Sequence, residues 1–146
     1  MVRIFVFFFV PLSLFSQKIE INEPINTGTN MTVAILAVDS LIELGDTILA
    51  LYKLDDLNYK DSNPYTHPND FGIAGLTVWK GDRLAIAIWG NDNTSNKKDG
   101  FLNNEIINWS IVRNNRYIPA HMIYKMGENV WKPNGISIID SLKIGC

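Results

Sequence analysis

The stretch Glu105–Tyr124, EIINWSIVRNNRYIPAHMIY, decides the fold class. Ile107, Trp109 and Ile111 fall on one face of an extended chain, and Asn108, Ser110 and Val112 on the other. A strand over Glu105–Arg113 with the Ile/Trp face pointing inward follows. Arg113-Asn114-Asn115-Arg116 then reads as a hairpin turn, because Asn enters the left-handed region more readily than other side chains. Tyr117–Tyr124 returns as a second strand, with Pro119 demoting part of it to an edge.

Working outward, apolar runs alternate with Asn/Asp/Gly clusters, the pattern of strands joined by polar turns. Further strands are expected at Ile19–Asn22 (a short edge), Asn30–Ala37, Thr47–Tyr52, Gly72–Trp79, Arg83–Trp89 and Ile136–Asp140. Trp79-Lys80-Gly81-Asp82 reads as a hairpin connection, since Gly permits positive φ. In Leu84-Ala85-Ile86-Ala87-Ile88-Trp89 both faces are apolar, which suggests a central strand. Ala34–Leu44 is the best helical window, but its apolar residues are too continuous for a 3.6 period and Val33, Ile35 and Val38 favour a strand. The 19 Ile and 16 Asn of the chain suit strands and turns respectively. The expected fold is all-β: a single-domain antiparallel β-sandwich of seven or eight strands.

The 146 residues do not all belong to that domain. A basic start at Arg3, the apolar run Ile4–Leu14 and the small residue Ser16 have the layout of a secretory signal peptide, too short for a bilayer span of ~20 residues. Cleavage after Ser16 is expected, leaving residues 17–146 as the mature domain, secreted, periplasmic or on the cell surface, with no stable membrane span. That domain keeps 12 basic side chains against 15 acidic. With no basic excess to neutralise phosphates, nucleic acid is not an expected partner. Cys146 is the single cysteine, so the core must hold without an internal disulfide.

No G-x-S-x-G elbow, phosphate-binding loop or dinucleotide fingerprint occurs, and His67 and His121 lack zinc spacing. The expectation is a non-catalytic protein; a small secreted hydrolase is the outlying alternative, because paired carboxylates are decided in space. Function is expected in two long polar loops, Asp55–Asp70 and Gly90–Asn104. Tyr59, Tyr65 and His67 in the first, with Trp131, are the ligand-binding candidates, for a glycan or a cell-surface protein. Trp79, Trp89 and Trp109 sit on strands and read as core or core-edge residues, and His121 as a half-buried packing residue. Asp92, Asp99 and Glu105 carry the hard oxygen ligands that calcium prefers, and Asp46 joins them if the sheet ends converge. A calcium-stabilised structural accessory module is thus a second alternative, although the loop lacks the EF-hand pattern.

The order Gly28-Thr29-Asn30-Met31-Thr32-Val33, Gly45-Asp46, Ala74-Gly75, Trp79, Trp89-Gly90-Asn91-Asp92, Asp99-Gly100-Phe101, Asn104-Glu105 and Asn134-Gly135-Ile136-Ser137 resembles β-rich modules in secreted surface proteins of Bacteroidota bacteria. Those modules carry a W-G-D-D strand end and a D-G-F-x-x-G-E loop, and most have no assigned biochemical function. The resemblance spans most of residues 28–137 and implies an exported, surface-associated β module. Asn91 stands where the pattern has its first Asp, and Asn104 where it has Gly.

Overall fold

The structure, a computed structural model, describes residues 19–54 and 63–145. The expected signal segment, Tyr59 and Cys146 lie outside the described residues. Asn114 and Asn115 adopt φ of 49° and 60°, the left-handed pair that a two-residue hairpin requires. They join β5 (Asn108–Arg113) to β6 (Arg116–Met126), with Arg113 opposite Arg116 and Ile111 opposite Ile118. The Ile107, Trp109 and Ile111 face is buried, as its period predicts.

The chain is all-β. The remaining strands are β1 (Asn30–Ile35), β2 (Thr47–Lys53), β3 (Phe71–Val78), β4 (Leu84–Trp89) and β7 (Ile136–Ile144). All seven form one sheet in the order β3-β2-β5-β6-β7-β1-β4, nearly closed into a barrel-like shape. β6 makes this continuity. Its first residues pair with β5 as far as Ser110↔Pro119, and from Ala120 onward it pairs with β7. Pro119 stands at the changeover, its carbonyl accepting the Gly145 amide at 3.0 Å.

Four expectations are corrected. First, β1 runs parallel to β7, Thr32 opposite Ile136, so the sheet is not wholly antiparallel. Second, β3 and β4 share no ladder: β3 pairs with β2 and β4 with β1, so residues 79–82 carry the chain between the sheet's two edges rather than closing a hairpin. Gly81 has the positive φ expected of it (87°), but Trp79 is tied elsewhere, its amide to the Asp46 carbonyl and its carbonyl to the Gly45 amide. Third, β4 is therefore an edge strand, with Ile86 and Ile88 buried and Ala85 and Ala87 facing solvent. The small residues there mark an open face, not a close-packed one. Fourth, Ile19–Asn22 forms no strand.

The interior is one apolar cluster fed by alternate residues from both halves of the sheet, including Val33, Ile48, Ile88, Ile111 and Ile139, with Trp79, Phe101 and Trp131 from the connections. β2 is buried on both sides. Ile48, Ala50 and Tyr52 face the interior. Leu49 and Leu51 face outward into a second cluster with Phe71 and Val112, against which Ile19 and Ile21 pack. The N-terminal segment thus covers the outer face of the sheet instead of lengthening it, and removes from water apolar surface worth about 25 cal/mol per Å².

Candidate functional site

A cleft of about 900 Å³ opens where that N-terminal segment crosses the sheet. The end of β2 (Leu51, Tyr52), the start of β3 (Phe71, Gly72, Ile73) and the start of β6 (Arg116, Tyr117) line it from the sheet. Ile19, Glu20, Asn22, Glu23 and Ile25 form one wall; Tyr65, Pro68 and Asn69 form another; Asp99 and Asn115 complete it. Such a volume lies within the range of small-molecule sites.

Local sequence explains how these groups are held. Gly72 lies against the Tyr52 ring: a Cβ there would sit 2.2 Å from Tyr52 Cζ. The missing side chain lets the phenol lie across β3, with its hydroxyl donating to the Lys98 carbonyl at 3.4 Å. Asn63 begins a turn by accepting the Tyr65 amide on Oδ1 at 2.8 Å, an Asx-type arrangement. This aims Tyr65 back at the sheet, where its hydroxyl donates to the Trp109 carbonyl at 2.7 Å. Asn115 Oδ1 accepts the Ile19 amide, so a turn residue of the β5–β6 hairpin also anchors the N-terminal wall. Burial raises the pKa of Tyr117, keeping its phenol protonated and able to donate.

The loop 90–104 docks against the same end of β2. The Lys98 side chain is 6% exposed and pairs with Glu105 at 2.9 Å. It also donates to the Lys53 carbonyl at 2.7 Å and lies 5.7 Å from the Tyr52 ring centroid, within cation–π range. Glu105 further accepts the Lys53 and Leu102 amides at 3.1 and 2.8 Å. Asp99 Oδ1 accepts the Asp92 amide at 2.8 Å, and Asn91 Oδ1 accepts the Asp99 amide at 3.0 Å. The hydroxyl and amide of Thr94 both bond Asp92, which holds its carboxyl below the ordinary range.

Of the metal candidates, Asp92 and Asp99 come together in the loop, while Asp46 stands apart from them. Among the described residues no group of three or more His, Cys, Asp or Glu is placed to hold an ion. Asp46 precedes the first residue of β2, whereas the loop 90–104 meets the last, Lys53. Asp46, 3% exposed, accepts Arg113 Nε at 2.8 Å and the Glu43 amide at 2.8 Å. The Arg113 hydrogen bonds hold its carboxyl below the usual range against the opposing effect of burial. Each of the four carboxylates has a donor within the chain.

Of the ligand-binding candidates, Tyr65 lines the cleft. His67, in the same loop, is exposed and bonded to Thr66 Oγ1 at 2.8 Å. Trp131 is corrected: it is 4% exposed, its indole N–H donates to the Ile88 carbonyl at 2.9 Å, and its ring covers Gly90. A Cβ on Gly90 would stand 2.4 Å from that ring, so the Trp-Gly step of the strand end serves interior packing. His121 is exposed rather than half-buried, with Nδ1 on the Gly145 carbonyl at 2.9 Å.

Tyr52, Phe71, Arg116, Tyr117 and the wall 19–25 are site residues that sequence reasoning missed. One signal was available: the unbroken apolar run Ile48–Tyr52 means that β2 is covered on both faces. No helix among the described residues is long and apolar enough to cross a membrane. No family model matches the chain, and neither a curated protein nor a solved structure matches it.

Proposed function

We propose that this protein is an exported, non-catalytic binding module for carbohydrate, acting at the cell surface like the Bacteroidota modules whose motif order it resembles. In this reading the two halves of the sheet are the layers of a sandwich joined through β6, and the ligand lies in the cleft between the N-terminal segment and the loop 63–70. One observation carries it: the cleft combines Tyr65 and Tyr117, above the largely buried rings of Tyr52 and Phe71, with Asn22, Asn69, Asn115, Arg116, Glu20, Glu23 and Asp99. A sugar ring has apolar C–H faces and a rim of hydroxyls. Aromatic rings offer flat apolar surface with a polar tip, and amide, guanidinium and carboxylate groups match hydroxyl donors and acceptors in pairs. A strongly apolar or strongly charged ligand would leave half of this lining unmatched.

The test is an array of oligosaccharides probed with the purified protein, followed by calorimetry on each hit. Binding is expected to fall about tenfold, the equivalent of 1.4 kcal/mol, in Arg116→Ala and Tyr65→Ala. Arg116 is exposed, so its loss leaves the fold intact. Absence of any oligosaccharide binding, or equal binding by both variants, sinks the reading.

A further inference from the structure

Resting on the carbohydrate reading above, we infer that the ligand is an extended oligosaccharide that crosses Tyr65 and places a terminal sugar in a second cleft. This cleft, about 280 Å³, is lined by Tyr65, Ile106, Trp109, Met122, Tyr124 and Asn129, among others. It opens at the seam where β6 leaves β5: the ladder ends at Ser110↔Pro119, and Trp109 and Ala120 on either side of the gap both line the space. Tyr65 is common to both clefts. Its hydroxyl is fixed to the Trp109 carbonyl at 2.7 Å, so its ring is a held partition between them rather than a loose loop side chain.

The second cleft has the same two-sided chemistry as the first on a smaller scale. Ile106, 63% exposed, and Met122 supply apolar surface. Tyr124 and Asn129 supply polar edges in a network whose geometry is set from below: Trp109 Nε1 donates to Asn129 Oδ1 at 3.1 Å, and the Tyr124 hydroxyl donates to the same oxygen at 2.8 Å. His121 also lines it, with Nδ1 donating to the Gly145 carbonyl. The volume is below the span of a whole small-molecule site, so it suits one unit at the end of a chain held mainly next door. Two clefts sharing one fixed aromatic wall fit a ligand that is itself a string of similar units.

The experiment is a length series of the array hit, from mono- to hexasaccharide, titrated calorimetrically into the wild type and two variants. Ile106→Arg obstructs the second cleft from an exposed position; Met122→Trp fills it from within. Wild-type affinity should rise about tenfold once the chain is long enough to pass Tyr65. Both variants should keep the affinity for short fragments and lose that rise. A length-independent affinity, or the same rise in Ile106→Arg as in the wild type, overturns the second-cleft inference while the carbohydrate reading stands. Failure of every fragment to bind removes that reading and this inference together.

Discussion

The Tyr65 hydroxyl donates to the Trp109 carbonyl at the place where β6 turns away from β5. Tyr65→Phe removes that donor and keeps the ring. A loss of about 1 kcal/mol is expected by denaturant unfolding, with weaker ligand binding because the partition is no longer pinned. Unchanged stability would mean that another donor reaches the Trp109 carbonyl.

Gly72→Ala puts a methyl where the Tyr52 ring lies. Overpacking of this kind costs about 1–3 kcal/mol, and the displaced ring narrows the cleft. A lower melting midpoint and lower oligosaccharide affinity are expected together; the second variant Tyr52→Leu with Gly72→Ala should recover the stability but not the binding.

Asp46 carries the acid limb of the stability curve. Its carboxyl in the folded chain titrates below the ordinary 3.8, chiefly through the Arg113 hydrogen bond. The stabilisation is therefore complete above pH 3.8 and is lost as pH falls through the depressed value. Asp46→Ala should lower stability at neutral pH by about 2–3 kcal/mol and flatten the decline below pH 4, read from urea unfolding at several pH values.

Tyr124 acts at the other extreme. Burial pushes its phenol up to about 12 from an ordinary 10.0, so the folded state favours the protonated form. Its stabilisation is full below pH 10 and is lost as pH rises from 10 towards 12. Tyr117, raised by burial too, adds to the same limb. The tyrosinate absorbance that Tyr124→Phe removes should therefore be the late part of the titration, and the same variant should reduce the alkaline loss of stability.

Calcium and chelator are expected to leave the melting midpoint unchanged, because Asp46, Asp92, Asp99 and Glu105 already have donors within the chain. A ligand that binds the folded state raises the midpoint with concentration, so a calcium-dependent rise would reinstate the oxygen-rich loop as a cation site.

The strands were legible because their signal is local. Alternation places Ile107, Trp109 and Ile111 inward, and Asn114-Asn115 specifies a turn that only needs its two neighbours. Strand neighbours were not legible, since pairing β1 with β7 joins residues about a hundred positions apart, and alternation says which face is buried but not by what. Ala85 and Ala87 are small whether they meet a packed layer or water, so β4 read as central. Ile19 and Ile21 alternate as an edge strand would, yet supply side chains to the outer cluster without entering a ladder. In the loops, Tyr65 was legible as an aromatic among turn residues, whereas Trp131 could not be told from a surface tryptophan until Gly90 was placed beneath it. Asp92, Asp99 and Glu105 have the composition of a cation loop; the lysine and the amides that occupy them are a matter of geometry.

The parallel pairing of β1 with β7 has a consequence for how the chain comes into being. Without β7 the sheet divides into β3-β2-β5-β6 and an isolated β1-β4 ladder. The interior cannot close until the last of the seven strands has left the ribosome, and non-local pairing of this kind forms slowly. Neither β3-β2-β5-β6 nor the β1-β4 ladder holds the whole interior cluster by itself.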